Sequence, residues 1–309
     1  MTTPTGVLPR SQSDQSAIPP TTLRATRPFY WSVRREIWEN RSIYVAPLAA
    51  AAVVLIGVLI GAKQQPYSEH LAAVDKVGQT VVLGKMLEVA AIVILVTGLI
   101  AAAFYCLGAL HGERRDRTIL FWKSLPVSDL TTVLAKAAIP LLVMPLVLFV
   151  IVLATQLLML GLATIVLLLN GLSAAGPWTQ LPLFQMPVVL LYTLAAFVLW
   201  YAPIWGWLLF VSGWARRATF LWAVLPPLAF CVIEAIAFHT SRLADLLKYR
   251  FVGVIAEAFH RAARPEDVIG LAQLDPAKFV SSPALWIGLA IGAALCTAAV
   301  WLRRYRVPI

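Results

Sequence analysis

Residues 137–169 read AAIPLLVMPLVLFVIVLATQLLMLGLATIVLLL, and the next Asp, Glu, Lys or Arg comes only at Arg216. No soluble fold hides so long an uncharged stretch, because a domain of this size always leaves a wide shell facing water. Lipid demands such a stretch, since a charge at mid-bilayer costs about 2.5–3.5 kcal/mol on insertion scales. The rest of the chain agrees: 60% of the 309 residues are hydrophobic and 13% charged, against roughly 25% charged in soluble domains. The sequence therefore specifies an all-α integral membrane protein. Its net charge of +10 does not point to nucleic acid. Lys and Arg fall between the apolar blocks, where they set topology and meet anionic lipid headgroups. Cys106, Cys231 and Cys296 all lie inside apolar blocks and read as small buried hydrophobes.

Crossing the hydrocarbon core takes about 20 apolar residues. Six blocks meet that length, at 43–62, 88–110, 138–162, 187–211, 218–239 and 284–302. The third continues apolar to Asn170, which implies tilt or a break, and Pro140 and Pro145 near its start predict a kink. With the N-terminus inside, the inner segments carry 16 of the 25 Lys and Arg residues. The positive-inside rule then places both termini in the cytoplasm and the protein in the cell (inner) membrane. Residues 1–27 are rich in Ser, Thr and Pro without an apolar run, and read as a disordered cytoplasmic tail. Residues 28–309 read as one six-span domain.

Three further segments do not span. Residues 28–42 place Phe29, Tyr30, Trp31, Val33, Ile37 and Trp38 mostly on one side of a helix, with Arg34 and Arg41 intruding. That pattern suits a helix lying at the headgroups with snorkelling arginines, or an ordinary basic flank. Residues 240–282 are too long for a simple connection and contain an amphipathic helix. Leu247, Phe251, Val254, Ile255, Ala258, Phe259 and Ala262 face one way, and Asp245, Glu257, His260 and Arg264 the other. It lies on the outer face or dips in against the spans. The third segment is the loop 111–136.

Little in the chain suggests catalysis. The four histidines have no zinc-binding spacing, and GQTVVLGKM at 78–86 departs from a phosphate loop in both glycine spacing and its final Met. No cofactor is expected on this chain. Glu234, inside the fifth span with His239 near that span's end, is an intramembrane acid: a proton relay or substrate contact, or a locally hydrogen-bonded carboxyl. Small residues four apart occur at Gly57/Gly61, Gly108/Gly112 and Gly288/Gly292, a spacing that permits close helix approach.

The informative motif is residues 111–129, HGERRDRTILFWKSLPVSD. A charged cluster leaves the second span, an apolar-aromatic turn follows, and Leu125-Pro126 precedes Ser128, which can cap the next helix. Phe121 and Trp122 between basic residues need cover, from headgroups or from another protein. The run Glu113-Arg114, Thr118-Ile119-Leu120 and Ser124-Leu125-Pro126-Val127-Ser128 resembles the loop between the second and third spans of ABC-2 type transporter permeases. The layout from about residue 28 onward resembles that family too, while only the loop motif is specific to it. The chain departs from the pattern at Asp116-Arg117, where many relatives carry a Gly before the Thr.

The resemblance implies a type V exporter-like fold, with an N-terminal interfacial helix, a cytoplasmic coupling helix and an extended outer helical segment before the last span. It implies a dimer with a second permease copy or a homologous permease, and two separate ABC ATPase subunits that hold ATP and Mg. Carried onto this chain, Arg117–Leu125 forms the coupling helix. Leu120, Phe121, Trp122, Lys123 and Leu125 sit in an ATPase cleft, and Glu113 and Arg114 relay its closure. The interfacial helix, through Trp31, Arg34, Arg35 and Trp38, touches the ATPase as well. The function so implied is ATP-driven export of an amphiphilic substrate (lipid, hydrophobic peptide or drug) by a subunit that is not itself an enzyme. The alternative is a proton-coupled transporter or intramembrane enzyme built on Glu234 and His239. A gene beside this one encoding a phosphate-loop ATPase separates the two.

Overall fold

Lipid offers no partner to a backbone N–H or C=O, so apolar segments satisfy their own hydrogen bonds as helices. The computed structural model describes residues 26–62, 76–115, 128–169, 171, 178–179, 181–260 and 270–305. Among these residues the chain is helical, with one isolated antiparallel bridge between Phe259 and Leu274 and no strand.

The order begins with α1 (Thr26–Glu39), α2 (Ser42–Ala62), α3 (Lys76–Ala109) and its short continuation α4 (His111–Arg115). Next come α5 (Asp129–Ala138), a π-helical turn (Ile139–Val143) and α6 (Met144–Leu169), then α7 (Gln185–Trp200) and α8 (Ala202–Trp214). The chain continues through α9 (Thr219–Phe238), α10 (Arg242–Ala258), a 3₁₀ turn (Leu271–Gln273), α11 (Pro276–Ser281) and α12 (Pro283–Tyr305). Five helical rods are long and apolar enough to cross a membrane: Ser42–Gly61, Val81–Arg115, Asp129–Leu169, Thr219–Phe238 and Pro283–Tyr305. The pair α7 and α8, bent by 50° at Tyr201, makes a sixth if counted as one crossing. These are the six apolar blocks of the sequence.

Two features differ from the expected bounds. The third rod runs 41 residues rather than stopping at 138–162. At 1.5 Å per residue that is about 60 Å, roughly twice the hydrocarbon thickness. An apolar count ends where polar residues begin, but this helix continues because Lys136 and Asp129 find partners at its start. Where Pro140 predicts a kink, the helix widens into the π turn, with Pro140 near its start. A proline lacks the N–H and clashes with the preceding turn of an α-helix, and a wider turn accommodates both faults.

The second difference concerns α1, where the apolar residues expected on one side divide between two faces. Val33 and Ile37 pack against the bundle core, whereas Tyr30, Trp31 and Trp38 are exposed.

The tightest crossing joins α8 and α12. A Cβ on Gly206 would stand 2.8 Å from the Gly292 carbonyl oxygen, and one on Gly292 would stand 3.0 Å from the backbone of Ala202. In lipid, such backbone approach supplies the packing that apolar side chains alone do not. A Cβ on Gly57, Gly61, Gly108 or Gly112 would meet nothing within 4 Å among the described residues, so those pairs mark no close helix approach there. The α7–α8 bend and the π turn border one cavity of about 20 Å³, lined by Gly98, Pro140, Met144, Phe197 and Trp205 among others. Pro140 of the π turn and residues on both sides of the α7–α8 bend thus line the same small cavity. By contrast α9 fully buries only Ala223 and leaves most of its other apolar residues exposed.

The 240–282 segment folds back onto α7. Tyr192 Oη donates to Ala258 O at 2.9 Å, and Trp200 Nε1 donates to Arg250 O at 2.8 Å. Val254 and Ala258 of the expected apolar face are buried there, while Phe251 and Ile255 remain exposed. Residues 1–25 and 116–127 lie outside the described residues, and with them most of the tail and the centre of the loop motif.

Candidate functional site

The chain leaves the described structure at Arg115 and re-enters at Ser128, so the ends of loop 116–127 are fixed by α4 and α5. The N-terminus of α5 is capped as the sequence suggests: Ser128 Oγ accepts from Thr131 N at 3.1 Å. Asp129 in the first turn complements the helix dipole. The end of α3 and α4 is pinned to α8. Ser212 Oγ accepts from Leu110 N and His111 N, both at 3.0 Å, and donates to Leu107 O at 2.8 Å. Buried Arg114 donates through Nη1 to Gly213 O.

Between these two loop ends lies a cluster of six charged side chains. Glu36 of α1 accepts from Lys136 Nζ at 2.8 Å on Oε1, and from Tyr105 Oη at 2.9 Å on Oε2. Glu113 of α4 takes Lys136 Nζ at 3.1 Å on the same oxygen that Arg35 Nη2 reaches at 3.1 Å. Arg35 Nη2 also lies 3.2 Å from Glu36 Oε1. The other oxygen of Glu113 accepts from Arg303 Nη1, and Arg303 Nε continues to Asp129 Oδ1 at 3.0 Å. Within these six, three carboxylates (Glu36, Glu113, Asp129) meet three cations (Arg35, Lys136, Arg303) and the formal charge balances, while Glu39 at the exposed rim adds a fourth acid 3.1 Å from Arg35 Nε. Glu36 and Lys136 are 3% exposed and Glu113 8%.

Charges taken so far out of water are tolerated only when each finds partners of good geometry. The network joins α1, α4, α5 and α12 in one electrostatic knot, with Tyr105 adding α3. These contacts tie the ends of the four helices to one another.

The sequence-derived residues fare differently. Arg35 and Glu113 meet in this cluster, and Arg114 holds α8 beside it. Trp31, Arg34 and Trp38 lie together on the exposed face of α1, with the Arg34 guanidinium 5.2 Å and 5.3 Å from the two indole rings. Arg117, Leu120, Phe121, Trp122, Lys123 and Leu125 are outside the described residues. Glu234 caps the next helix: it accepts from Thr240 Oγ1 at 2.8 Å, Arg242 N at 3.0 Å and Leu243 N at 2.8 Å.

A further cation, half-buried, sits on α10. Arg250 lies over the Trp200 ring at 4.7 Å and donates from Nη1 to Ala284 O at 3.0 Å. Its Nε and Nη2 are buried and find no acceptor among the described residues. Burial accordingly holds this guanidinium below its ordinary value. Gly288 makes the room, since a Cβ there would fall 1.6 Å from Nη2.

Compared with family models, curated proteins and solved structures, the chain matches none.

Sequence reasoning missed Glu36, Tyr105 and Asp129 as site residues, and treated Lys136 and Arg303 only as topology markers. A signal existed for Glu36, which falls on the same helical arc as Phe29 and Val33 rather than with the exposed arginine. Lys136 also stood out in position, as the last charge before the long uncharged run. Nothing local marks Asp129 and Arg303 as partners across 174 positions.

Proposed function

We propose that the chain is the membrane-spanning subunit of an ATP-driven exporter of the ABC-2 type. Its six crossings would place both termini and residues 116–127 on the cytoplasmic side of the cell membrane. It would work with a second permease copy and two ATPase subunits that bind ATP and Mg. Residues Arg117–Leu125 form the coupling helix, with Phe121 and Trp122 as apolar anchors in the ATPase cleft.

The observation that carries this reading is the buried ion cluster at both ends of that loop. A push on residues 116–127 reaches Glu113 on one side and Asp129 and Lys136 on the other. The same contacts reach α1 through Glu36 and Arg35, and the last crossing through Arg303. Rigid-body motion of a partner subunit is thereby passed to several crossings at once, as a two-state bundle requires. The π turn and the α7–α8 bend, which border the same small cavity, are the places where the bundle has least helical resistance to bending.

Surfaces of uncharged apolar residues along the crossings favour an amphiphilic cargo: a lipid, a hydrophobic peptide or a drug. The proton-coupled alternative is less well supported, because both Glu234 oxygens already accept bonds from the α9–α10 corner.

The test is purification of the tagged chain from its host in mild detergent, followed by photolabelling with azido-ATP. A labelled subunit should co-purify with the wild type and be lost on replacing Phe121 and Trp122 by Ala. A wild-type preparation that transports but carries no ATP-binding partner overturns the proposal.

A further inference from the structure

The exposed face of α1 is the surface that the family resemblance assigns to ATPase contact through Trp31, Arg34 and Trp38, and its chemistry fits a different occupant. Trp31 is 59% exposed and Trp38 69%, a high value for indoles on a helix otherwise packed against the bundle. Between them Arg34 is held over both rings, at 5.2 Å and 5.3 Å. Arg34 is exposed, and its guanidinium makes no hydrogen bond or ion pair among the described residues. The face carries no acid to meet it: Glu36 is turned into the buried cluster, and Glu39 pairs with Arg35 at 3.1 Å.

We infer that Trp31, Arg34 and Trp38 clamp the phosphate of an anionic phospholipid headgroup. A guanidinium presents a planar fork of donors that fits a phosphate oxygen pair, and flanking aromatic faces hold that fork in place before the anion arrives. Indoles favour the headgroup layer, where their polar edge is wet and their body apolar. The location fits as well, because α1 ends two residues before the first crossing begins at Ser42. A second aromatic–basic pair lies at the same end of the bundle. Arg304 sits 5.7 Å from the Tyr305 ring beside exposed Trp301, one residue from the Arg303 that binds Glu113. The clamp is linked to the ion cluster by sequence alone, since Arg34 is followed directly by Arg35 and Glu36. A bound anionic lipid therefore fixes the helix that carries two members of that cluster.

The inference rests on α1 lying at the membrane surface, and it does not depend on transport. The full chain, purified in detergent, is titrated with phosphatidylglycerol, phosphatidylcholine or inorganic phosphate and read by native mass spectrometry. The wild type should retain phosphatidylglycerol in preference to phosphatidylcholine. Arg34→Gln should weaken the tightest phosphatidylglycerol by about fivefold to tenfold, and Arg34→Lys by less, because the charge survives while the fork is lost. Equal retention by wild type and Arg34→Gln overturns the inference, as does equal retention of the two lipids or displacement of the lipid by millimolar inorganic phosphate. A spin label at Tyr30→Cys, read for relaxation by lipid-soluble oxygen, checks the placement separately. If the label is at the surface and Arg34→Gln changes nothing, only the clamp fails. If the label is in water, the interfacial placement fails with it.

Discussion

Lys136→Met tests the ion cluster where it is deepest. Both Lys136 and Arg35 bridge Glu36 and Glu113, but Lys136 is 3% exposed and Arg35 22%, so only the lysine has no water to fall back on. Its Nζ lies 2.8 Å and 3.1 Å from the two carboxylates. Removing one partner of a buried pair costs about 3–5 kcal/mol. Arg35 stays in contact with both acids, which puts the expected loss near the lower end, about 3 kcal/mol. At about 1.4 kcal/mol per factor of ten, the folding constant falls by roughly a hundredfold. At about 2 °C per kcal/mol, the melting midpoint falls by about 6 °C. The assay is thermal unfolding of the purified chain in detergent, followed by tryptophan fluorescence. Adding Glu36→Gln restores the formal charge balance, leaving Arg35 and Arg303 with Glu113 and Asp129. The double variant should then melt above Lys136→Met alone, with a coupling of about 1–3 kcal/mol. If Lys136→Met melts within about 1 °C of the wild type, or the two substitutions simply add, the cluster is not the knot described above.

Three other variants probe separate parts of the structure. Gly206→Ala forces its new methyl against the Gly292 carbonyl and should cost about 1–3 kcal/mol in the same melting assay, whereas Gly57→Ala, which meets nothing, should stay within about 0.5 kcal/mol. Ser128→Ala loses the cap on α5 and should cost about 1 kcal/mol, while Ser128→Asp, which keeps an acceptor, should melt close to the wild type. Gly288→Ala collides with the Arg250 guanidinium and should destabilise by about 1–3 kcal/mol. In an Arg250→Met background, with no guanidinium at that spot, the same substitution should cost less than half as much, as a two-by-two melting comparison will read.

The crossings were legible because lipid imposes one requirement on every residue of a span, and residues 137–169 meet it without exception. The amphipathic stretch now seen as α10 was legible for a similar reason, since its buried members Val254 and Ala258 recur at helical spacing. Boundaries failed where charge is compensated in three dimensions. Lys136 looked like the end of a loop because hydropathy cannot register that Glu36 waits a hundred positions away. The same blindness affects Arg303 and Asp129, and explains why only Arg35 and Glu113 were singled out in advance. The division of α1 into two faces was hidden for another reason. Hydropathy does not distinguish an aliphatic residue that faces the core from an indole that does not, so the sequence pattern joins Ile37 and Trp38 although the fold separates them. Glu234 was flagged for its place in an apolar block, and its service as a cap depends on a corner at His239, whose φ of 50° no pattern announced.

Coupling to an ATPase requires residues 116–127 to face the side of the membrane that holds ATP. Cysteine accessibility at Ser124→Cys, in a background with Cys106, Cys231 and Cys296 replaced by Ala, measures this directly. A membrane-impermeant maleimide should label the cysteine in sealed inside-out vesicles and leave it unlabelled in right-side-out ones. It should also be protected once the ATP-binding partner is bound. Labelling from the outer face would contradict the coupling role of the loop and of the ion cluster that anchors it.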